Sequence, residues 1–510
     1  MSRTKASIKN FIWTNLRTYL LMILRFVLRT VFIKKLGATY LGVDGLFTNI
    51  LGFLSLAELG ISGAISFSLY EPLAKKDIPK IQALINFYRK AYRIVAAVVL
   101  VLGVVLIPFI PKIAKGADGI AHLQLIFCIY LFNTVSSYLI TYKSTIITAD
   151  QKHYILSNIV LVFNLITIAL QTVSLFVFSD YIIYLLISSV FNLMSSLYIF
   201  HYSGKLYPFI KHRNNQQLDK KDSRILFTKI KALLYHKIGQ VAISQTDSII
   251  TSSVINVTMV GYVNNYNMII NVIKSASSSI FDMIVPSLGN LIATEDREHQ
   301  LLTYKRVEFL NYWVNSFTSI SLFFMLTPFV RIWLGENFEL ADSVVFLLVI
   351  NYYIYISRLP IFSVRSAAGT FEPDRFSPIV ESIVNIAVSI ILARQIGIEG
   401  VYIGTLVSSF VPWIWSPIVV HKYVFNLSSK KYFFRQGIRF AIVMAYGYLM
   451  KLFFDAVNFN GLVLNLVFRG VICLLIPNLV IVLIYSRTNE FKYLINTVKN
   501  LMLKLKKHNH

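Results

Sequence analysis

Stretches of about 20 largely apolar residues recur along the whole of this 510-residue chain. Lipid offers no water to unsatisfied backbone N–H and C=O groups, so a stretch of that length reads as one membrane-crossing helix. Windows of this kind lie near 12–33, 41–70, 94–113, 120–142, 154–178, 181–203, 233–255, 260–292, 309–333, 341–364, 377–396, 398–420, 437–457 and 462–486. Composition agrees with them. Hydrophobic residues are 56% of the chain, charged residues 14%, and the mean hydropathy is +0.64. Soluble proteins carry roughly 25% charged residues, so this chain cannot cover its own surface in water. The expected class is an all-α polytopic membrane protein with about 14 transmembrane helices. The first window reads as a span and not as a cleaved leader. Arg17, Arg25 and Arg29 interrupt it, and no small-residue cleavage site follows.

The 49 Lys and Arg outnumber the 24 Asp and Glu, giving a formal charge of +25. In a soluble protein that excess would point to nucleic acid; here its placement gives it another meaning. The N-terminal arm and segments 71–93, 143–153, 205–231, 294–308, 365–375, 421–439 and 487–510 together hold 35 of the bases. The alternating loops hold only Lys34, Lys35, Lys112, Lys115 and Arg394, and the loop Gly335–Asp342 has three acids and no base. Basic loops stay in the cytoplasm. Both termini are therefore expected on the cytoplasmic side, and nucleic acid is not an expected partner.

Segment 205–231 is the longest polar stretch and reads as a cytoplasmic linker, with six windows before it and eight after. A half of six spans ends on the side where it began, so the second half enters in the same orientation, as a parallel repeat does. The expected organisation is a six-helix lobe over 1–204, the basic linker 205–231, a second six-helix lobe over 232–425, two additional spans over 426–490, and a tail, 491–510. Weak internal similarity supports the repeat: Leu36-Gly-Ala-Thr-Tyr-Leu-Gly42 opens the second window and Val257-Thr-Met-Val-Gly261 the eighth. In the tail, Leu494, Val498, Leu501 and Leu505 recur at helical spacing among lysines, the pattern of an amphipathic helix on the membrane surface.

Ionisable residues inside spans cost about 2.5–3.5 kcal/mol each at the bilayer centre even on the lenient insertion scale. The bases are Arg17, Arg25, Arg29, Lys237, Lys274, Arg331, Arg358, Lys451 and Arg469; the acids are Asp44, Glu58, Asp247, Asp282 and Glu381. Arg17, Arg331, Lys451 and Lys237 lie near span ends, where snorkelling accounts for them. Arg25 and Arg29 are four residues apart, on one helix face and about 6 Å apart along the axis. They need a water-filled cavity, acidic partners such as Asp44 or Glu58, or an anionic ligand. An anion site is the reading favoured here. Bases outnumber acids, which suits a phosphate or pyrophosphate group and not the organic cation of a drug extruder.

The seventh window adds Gln240, Ser244, Gln245, Thr246, Asp247 and Ser248, polarity that fits a helix lining an aqueous path. Asp247 is either a proton or sodium site or a counter-ion to a neighbouring base. The eighth window carries Asn264, Asn265, Asn267, Asn271, Lys274 and a serine-rich run, which also suits close helix packing. Most of the 29 tyrosines read as packing or interfacial residues, with some able to stack on sugar rings. Cys128 and Cys473 sit in apolar stretches as small hydrophobes. No histidine pair has metal-ligand spacing within a span, and a P-loop is absent. No cofactor or metal is expected beyond a coupling ion, Na+ or H+.

Six stretches resemble a known family. Lys34-Lys-Leu-Gly-Ala-Thr-Tyr-Leu-Gly-Val-Asp44-Gly-Leu-Phe, with Leu56-Ala-Glu-Leu-Gly-Ile-Ser-Gly63, is similar to the opening of Wzx-type polysaccharide flippases. Gln245-Thr-Asp-Ser-Ile249 and Val260-Gly-Tyr-Val-Asn-Asn-Tyr266 resemble the start of that family's second half, and Arg331-Ile-Trp-Leu-Gly335 and Pro360–Gly369 also fit. The resemblance implies the multidrug/oligosaccharidyl-lipid/polysaccharide exporter fold: two six-helix lobes around a central cavity, plus two C-terminal helices, working by alternating access. It implies a non-enzymatic transporter of the bacterial cytoplasmic membrane that flips undecaprenyl-pyrophosphate-linked oligosaccharide units for capsule or exopolysaccharide. Membrane lipids, a polysaccharide polymerase and other assembly proteins are the implied partners, and a monomer is expected.

The related lipid II flippases use arginines of their first helices, in the part of the chain where Arg25 and Arg29 lie. Arg25, Arg29, Lys274, Asn267 and Asn271 are thus the expected substrate-binding residues. Asp44, Glu58 and Asp247 are expected to couple an ion or balance charge. The alternatives are a lipid II flippase, a drug/cation antiporter, and a membrane polymerase or glycosyltransferase. Short outer loops and a basic inner linker speak against the enzymes.

Overall fold

The computed structural model describes residues 3–58, 61–210, 216–220, 222–224, 226–227, 230, 241, 245–457, 459 and 461–508. Its main helices are α1 (Arg3–Leu36), α2 (Ala38–Leu54), α3 (Ile61–Lys75), α4 (Ile78–Leu106), α5 (Leu123–Thr141), α6 (His153–Val177) and α7 (Tyr181–Leu206), then α8 (Val257–Thr294), α9 (Arg297–Leu334), α10 (Asp342–Ser357), α11 (Leu359–Ala368), α12 (Ser377–Ile396), α13 (Ile398–Val420), α14 (Lys430–Ala456), α15 (Leu462–Tyr485) and α16 (Asn489–His508). No strand occurs among the described residues. Short polar signals set the boundaries. The Asp77 carboxylate accepts from the Lys80 N–H at 3.1 Å to open α4, with Pro79 in its first turn. Asp180 and Asp296 cap α7 and α9 in the same way, each at 2.9 Å.

Twelve of the described helical segments are long and apolar enough to cross a membrane, and the protein is a multi-pass membrane protein. Two sequence windows are not among the twelve. Window 12–33 lies within α1, in which Arg17, Arg25 and Arg29 interrupt the apolar run. Residues 233–240 and 242–244 of window 233–255 lie outside the described residues. The window 41–70 is not one helix: a 3-10 turn, Ser55–Glu58, follows α2, and α3 begins at Ile61.

The described chain divides into two compact units, 1–261 and 262–510. In unit 1, α5 packs on α4 and α7, and α6 lies against α1 and α7. Phe47, Ile65, Leu69, Val99 and Phe127 are fully buried there. In unit 2, α9 is the hub, meeting α10, α14, α15 and α16, while α12 and α13 form a tight hairpin. Backbones in that hairpin nearly touch. A Cβ on Gly404 would lie 2.2 Å from the Ser389 hydroxyl, and one on Gly400 would lie 2.3 Å from the Leu392 carbonyl.

The internal repeat appears in the spacing of elements. A shift of 219 residues carries the start of α2 onto α8, of α4 onto α9 and of α5 onto α10, and carries the end of α3 onto the end of α8. Within unit 1 the first turn of α8 crosses the first turn of α2, and the pairs that meet there are related by the same shift. The Thr39 and Thr258 hydroxyls are 3.1 Å apart. A Cβ on Gly42 would fall 1.9 Å from the Val257 carbonyl oxygen, and one on Gly261 would fall 2.4 Å from that of Ala38.

Two sequence expectations need correction. Segments 294–308, 365–375 and 421–439 read as water-facing loops, yet they supply buried ion pairs to unit 2. Glu308, 2% exposed, accepts from Arg435 at 2.5 Å and Gln436 at 2.8 Å and lies 3.1 Å from Arg439. Asp374 is sealed between Arg365 at 2.5 Å and the Ser416 hydroxyl at 2.8 Å. Sequence shows no partner helix for charges at span ends, so on sequence alone they count as hydrated. The tail is also more than a surface anchor. Phe491 stacks on Trp313 at 5.4 Å, Arg306 lies over the Tyr493 ring at 3.7 Å, and Leu494 packs on the unit 2 core.

Candidate substrate and ion sites

In unit 1, Arg25 and Arg29 sit one turn apart on α1, the helix that lies along α6. Arg25 is exposed and donates to the Asn164 side-chain oxygen of α6 at 3.3 Å. Arg29 is deeper. Asp44 of α2 and the Tyr184 hydroxyl of α7 act on it electrostatically, and Tyr184 also feels Arg25. Asp44 in turn accepts a very short hydrogen bond from Tyr130 and a longer one, 3.4 Å, from Tyr181. The two phenol oxygens are 3.1 Å apart. Phe32, Tyr40 and Tyr184 enclose Tyr181 with ring centroids 5.2–6.1 Å away.

This arrangement places one carboxylate among phenols near the Arg29 guanidinium, with Arg25 one turn away on α1. Phenols can donate to the charged carboxylate, and the arginines leave a net positive charge at the α1 face. Glu58 is engaged elsewhere: it accepts from Tyr92 at 2.6 Å, in a tyrosine cluster with Tyr88 and Tyr138. Asp247 lies on a helical stretch whose neighbouring Gln245 packs against Gly52 of α2. Thus Arg29 and Asp44 come together, while Glu58 joins a separate tyrosine cluster.

In unit 2, Asn267, Asn271 and Lys274 follow one another at spacings of four and three on α8, along one helix face. The Lys274 ammonium stands 3.6 Å from the centroid of the Tyr355 ring. Arg358, one turn further along, is its electrostatic neighbour and is held by Glu381 at 3.2 Å. This second cluster again has two bases and one acid. Tyr130, Tyr181, Tyr184, Asn164 and Tyr355 were not singled out from sequence. The available signal was the demand that a carboxylate inside a span find donors, with hydroxyls at positions 181 and 184 of one helix.

No protein-family profile and no curated protein sequence matches the chain. Solved structures do. The lipid II flippase MurJ, in an inward closed conformation, superposes with a TM-score of 0.70 at 14% identity, covering 93% of this chain and 99% of that one. The fold is that of the MOP transporters. An inward-facing multidrug MATE transporter of the MOP superfamily matches with a TM-score of 0.58 at 12% identity, covering 78% of this chain and 93% of that one. The MATE transporter VcmN of Vibrio cholerae gives 0.54 at 12%, covering 83% and 98%. At these identities the likeness concerns the fold, so the chemistry of the MOP fold in this chain has to be argued from its own residues.

Proposed function

We propose that the chain is a flippase that carries the pyrophosphate-linked sugar head group of a polyprenyl lipid across the bacterial cytoplasmic membrane. The substrate we favour is an undecaprenyl-pyrophosphate-linked oligosaccharide unit destined for capsule or exopolysaccharide. The observation that carries this reading is the pair Arg25 and Arg29 on one face of α1, with Asp44 as the carboxylate neighbour of Arg29. Two guanidinium forks present parallel N–H donors suited to phosphate oxygens. In unit 2, Asn267, Asn271 and Lys274 on α8 offer a second set of polar and cationic groups of their own. Neutral aromatic and amide groups around the bases suit sugar rings. The cycle is alternating access.

Asp44 is the proposed coupling residue, taking up a proton or Na+ while Tyr130 and Tyr181 reorient their donated hydrogens. Asp247 and Glu58 are the other candidates for that role. A second reading, transport of lipid II itself, is favoured by the overall likeness to MurJ. The oligosaccharide reading rests on the sequence resemblance to Wzx-type flippases.

The test is translocation in sealed vesicles with each lipid-linked substrate offered separately, comparing wild type, Arg29→Glu and Asp44→Asn. Arg29→Glu is expected to abolish movement of the preferred substrate with membrane insertion intact. Asp44→Asn is expected to retain downhill exchange and lose dependence on an ion gradient. Preference for lipid II would select the second reading. Full transport by Arg29→Glu would remove the arginine pair as ligand.

A further inference from the structure

A groove of about 350 Å³ opens on the surface of unit 2, within the range of ligand sites, roughly 300–1,000 Å³. α10 and α14 both pack on α9, and the groove lies between them with Ile320 and Phe323 of α9 as its floor. α14 lies close on that floor at Gly447, where an added Cβ would be 2.9 Å from the Ile320 Cδ1. The walls are helical faces: Phe346 and Ile350 on α10, Met444 and Tyr448 on α14, each pair one turn apart. Phe346, Met444 and Tyr448 form exposed lips. The rings of Tyr353 and Phe440, with centroids 5.4 Å apart, close one end. From there to Asp342 on α10 and to Lys451 on α14 is about 16 Å along each helix. Half of a hydrocarbon core about 30 Å thick is about 15 Å, so the groove is as long as one leaflet is deep.

The other end is charged. Asp342 and Lys451 are the charged residues of the lining, and neither forms a salt bridge, with the other or with a third group, among the described residues. The neighbouring charges add acid and no spare base. Glu399 accepts from the Ser343 hydroxyl at 2.9 Å, and Asp455 lies one turn beyond Lys451. Arg331, at the same end of α9, is taken by Glu339 at 2.7 Å. An apolar slot thus ends in one acid and one base that are held apart. None of the residues assigned above to substrate or ion lines it.

We propose that this groove holds an acyl chain of a resident phospholipid with a primary-ammonium head group, its phosphate on Lys451 and its ammonium on Asp342. A zwitterion answers both charges at once. An anionic head group would satisfy Lys451 and set a second negative charge beside Asp342. The Tyr448 phenol on the lip suits the membrane interface. The basic segment 421–439 lies at the opposite end of α14, and basic segments stay in the cytoplasm, so the lipid belongs to the outer leaflet.

The experiment uses the full chain in detergent. Phosphatidylethanolamine, phosphatidylcholine and phosphatidylglycerol are offered separately, with retained lipid read by native mass spectrometry. Phosphatidylethanolamine should be held most tightly. The quaternary ammonium of phosphatidylcholine has no N–H to donate to Asp342, and phosphatidylglycerol has no ammonium. Asp342→Asn should bring phosphatidylethanolamine down to the level of phosphatidylglycerol. Lys451→Gln should weaken all three, and the two changes together should cost roughly 5–30-fold, as loss of two exposed charge contacts does. Lys431→Gln with Glu372→Gln removes the same charges from exposed positions elsewhere and should leave retention unchanged. A phosphatidylethanolamine with a diazirine at the end of its acyl chain should label peptides containing Tyr353 or Phe440.

Equal retention of the three lipids by wild type overturns the proposal, as does a preference that Asp342→Asn leaves intact. Labelling confined to other helices overturns it too. Should the charge variants fail to fold, Met444→Trp decides: its ring fills the groove from the lip and should abolish labelling at Tyr353 and Phe440. Unchanged labelling in that variant overturns the site. Displacement of the label by an equimolar undecaprenyl-pyrophosphate lipid would give the groove to a polyprenyl tail and overturn the phospholipid assignment.

Discussion

At the scale of single residues, Glu308 shows how much a buried charge depends on its partners. It answers Arg435 and Arg439, and Gln436 completes its hydrogen bonding. Glu308→Ala should cost about 3–5 kcal/mol in unfolding measurements, because two arginines are left without a counter-charge. Replacing Glu308, Arg435 and Arg439 together by Met should cost less than that single change, since no orphaned charge remains. Sequence named none of these three as a membrane residue. Counting basic loops treats every charge beyond a span as hydrated, and only the fold shows that α9 and α14 meet there. The reverse holds for Arg25 and Arg29, whose common face follows from helical period alone. Their surroundings do not follow from it: Tyr130, Tyr181 and Tyr184 come from two other helices, and nothing local in 29 tyrosines separates these from packing residues. Tyr130→Phe with Tyr181→Phe should leave folding nearly intact and shift the pH profile of the proposed transport, since Asp44 would lose its donors.

At the scale of elements, apolar windows located most helices because lipid demands a minimum length of apolar chain whatever the partner. Breaks within a window were less legible. The passage from α2 through Ser55–Glu58 to α3 occupies as many residues as continuous α8 does in the repeat, and hydropathy is similar across both. In sequence Gly42 and Gly261 are echoes of one motif; their contact with each other is tertiary information. Because each lies against backbone, no rotamer change can make room for a side chain. Gly42→Leu should therefore lower the melting temperature markedly, and Gly37→Ala, at φ 88° with open space around its Cβ, should act only through backbone strain. Thermal unfolding of both variants in detergent separates the two mechanisms.

At the scale of the whole molecule, the repeat and the MOP fold give two units built on one plan, to which unit 2 adds α14, α15 and the docked α16. The placement of the unit boundary within α8 required the fold. A chain ending after Phe425 lacks α14, so it should insert but be degraded quickly, with a half-life that Glu308→Gln lengthens. The reason reaches into biosynthesis. Glu308 leaves the ribosome 127 residues before Arg435. At about 5–20 residues per second, that interval lasts roughly 6–25 s. Throughout it the nascent protein must keep this carboxylate hydrated or protonated, so the last spans arrive as the counter-charge for a helix already made.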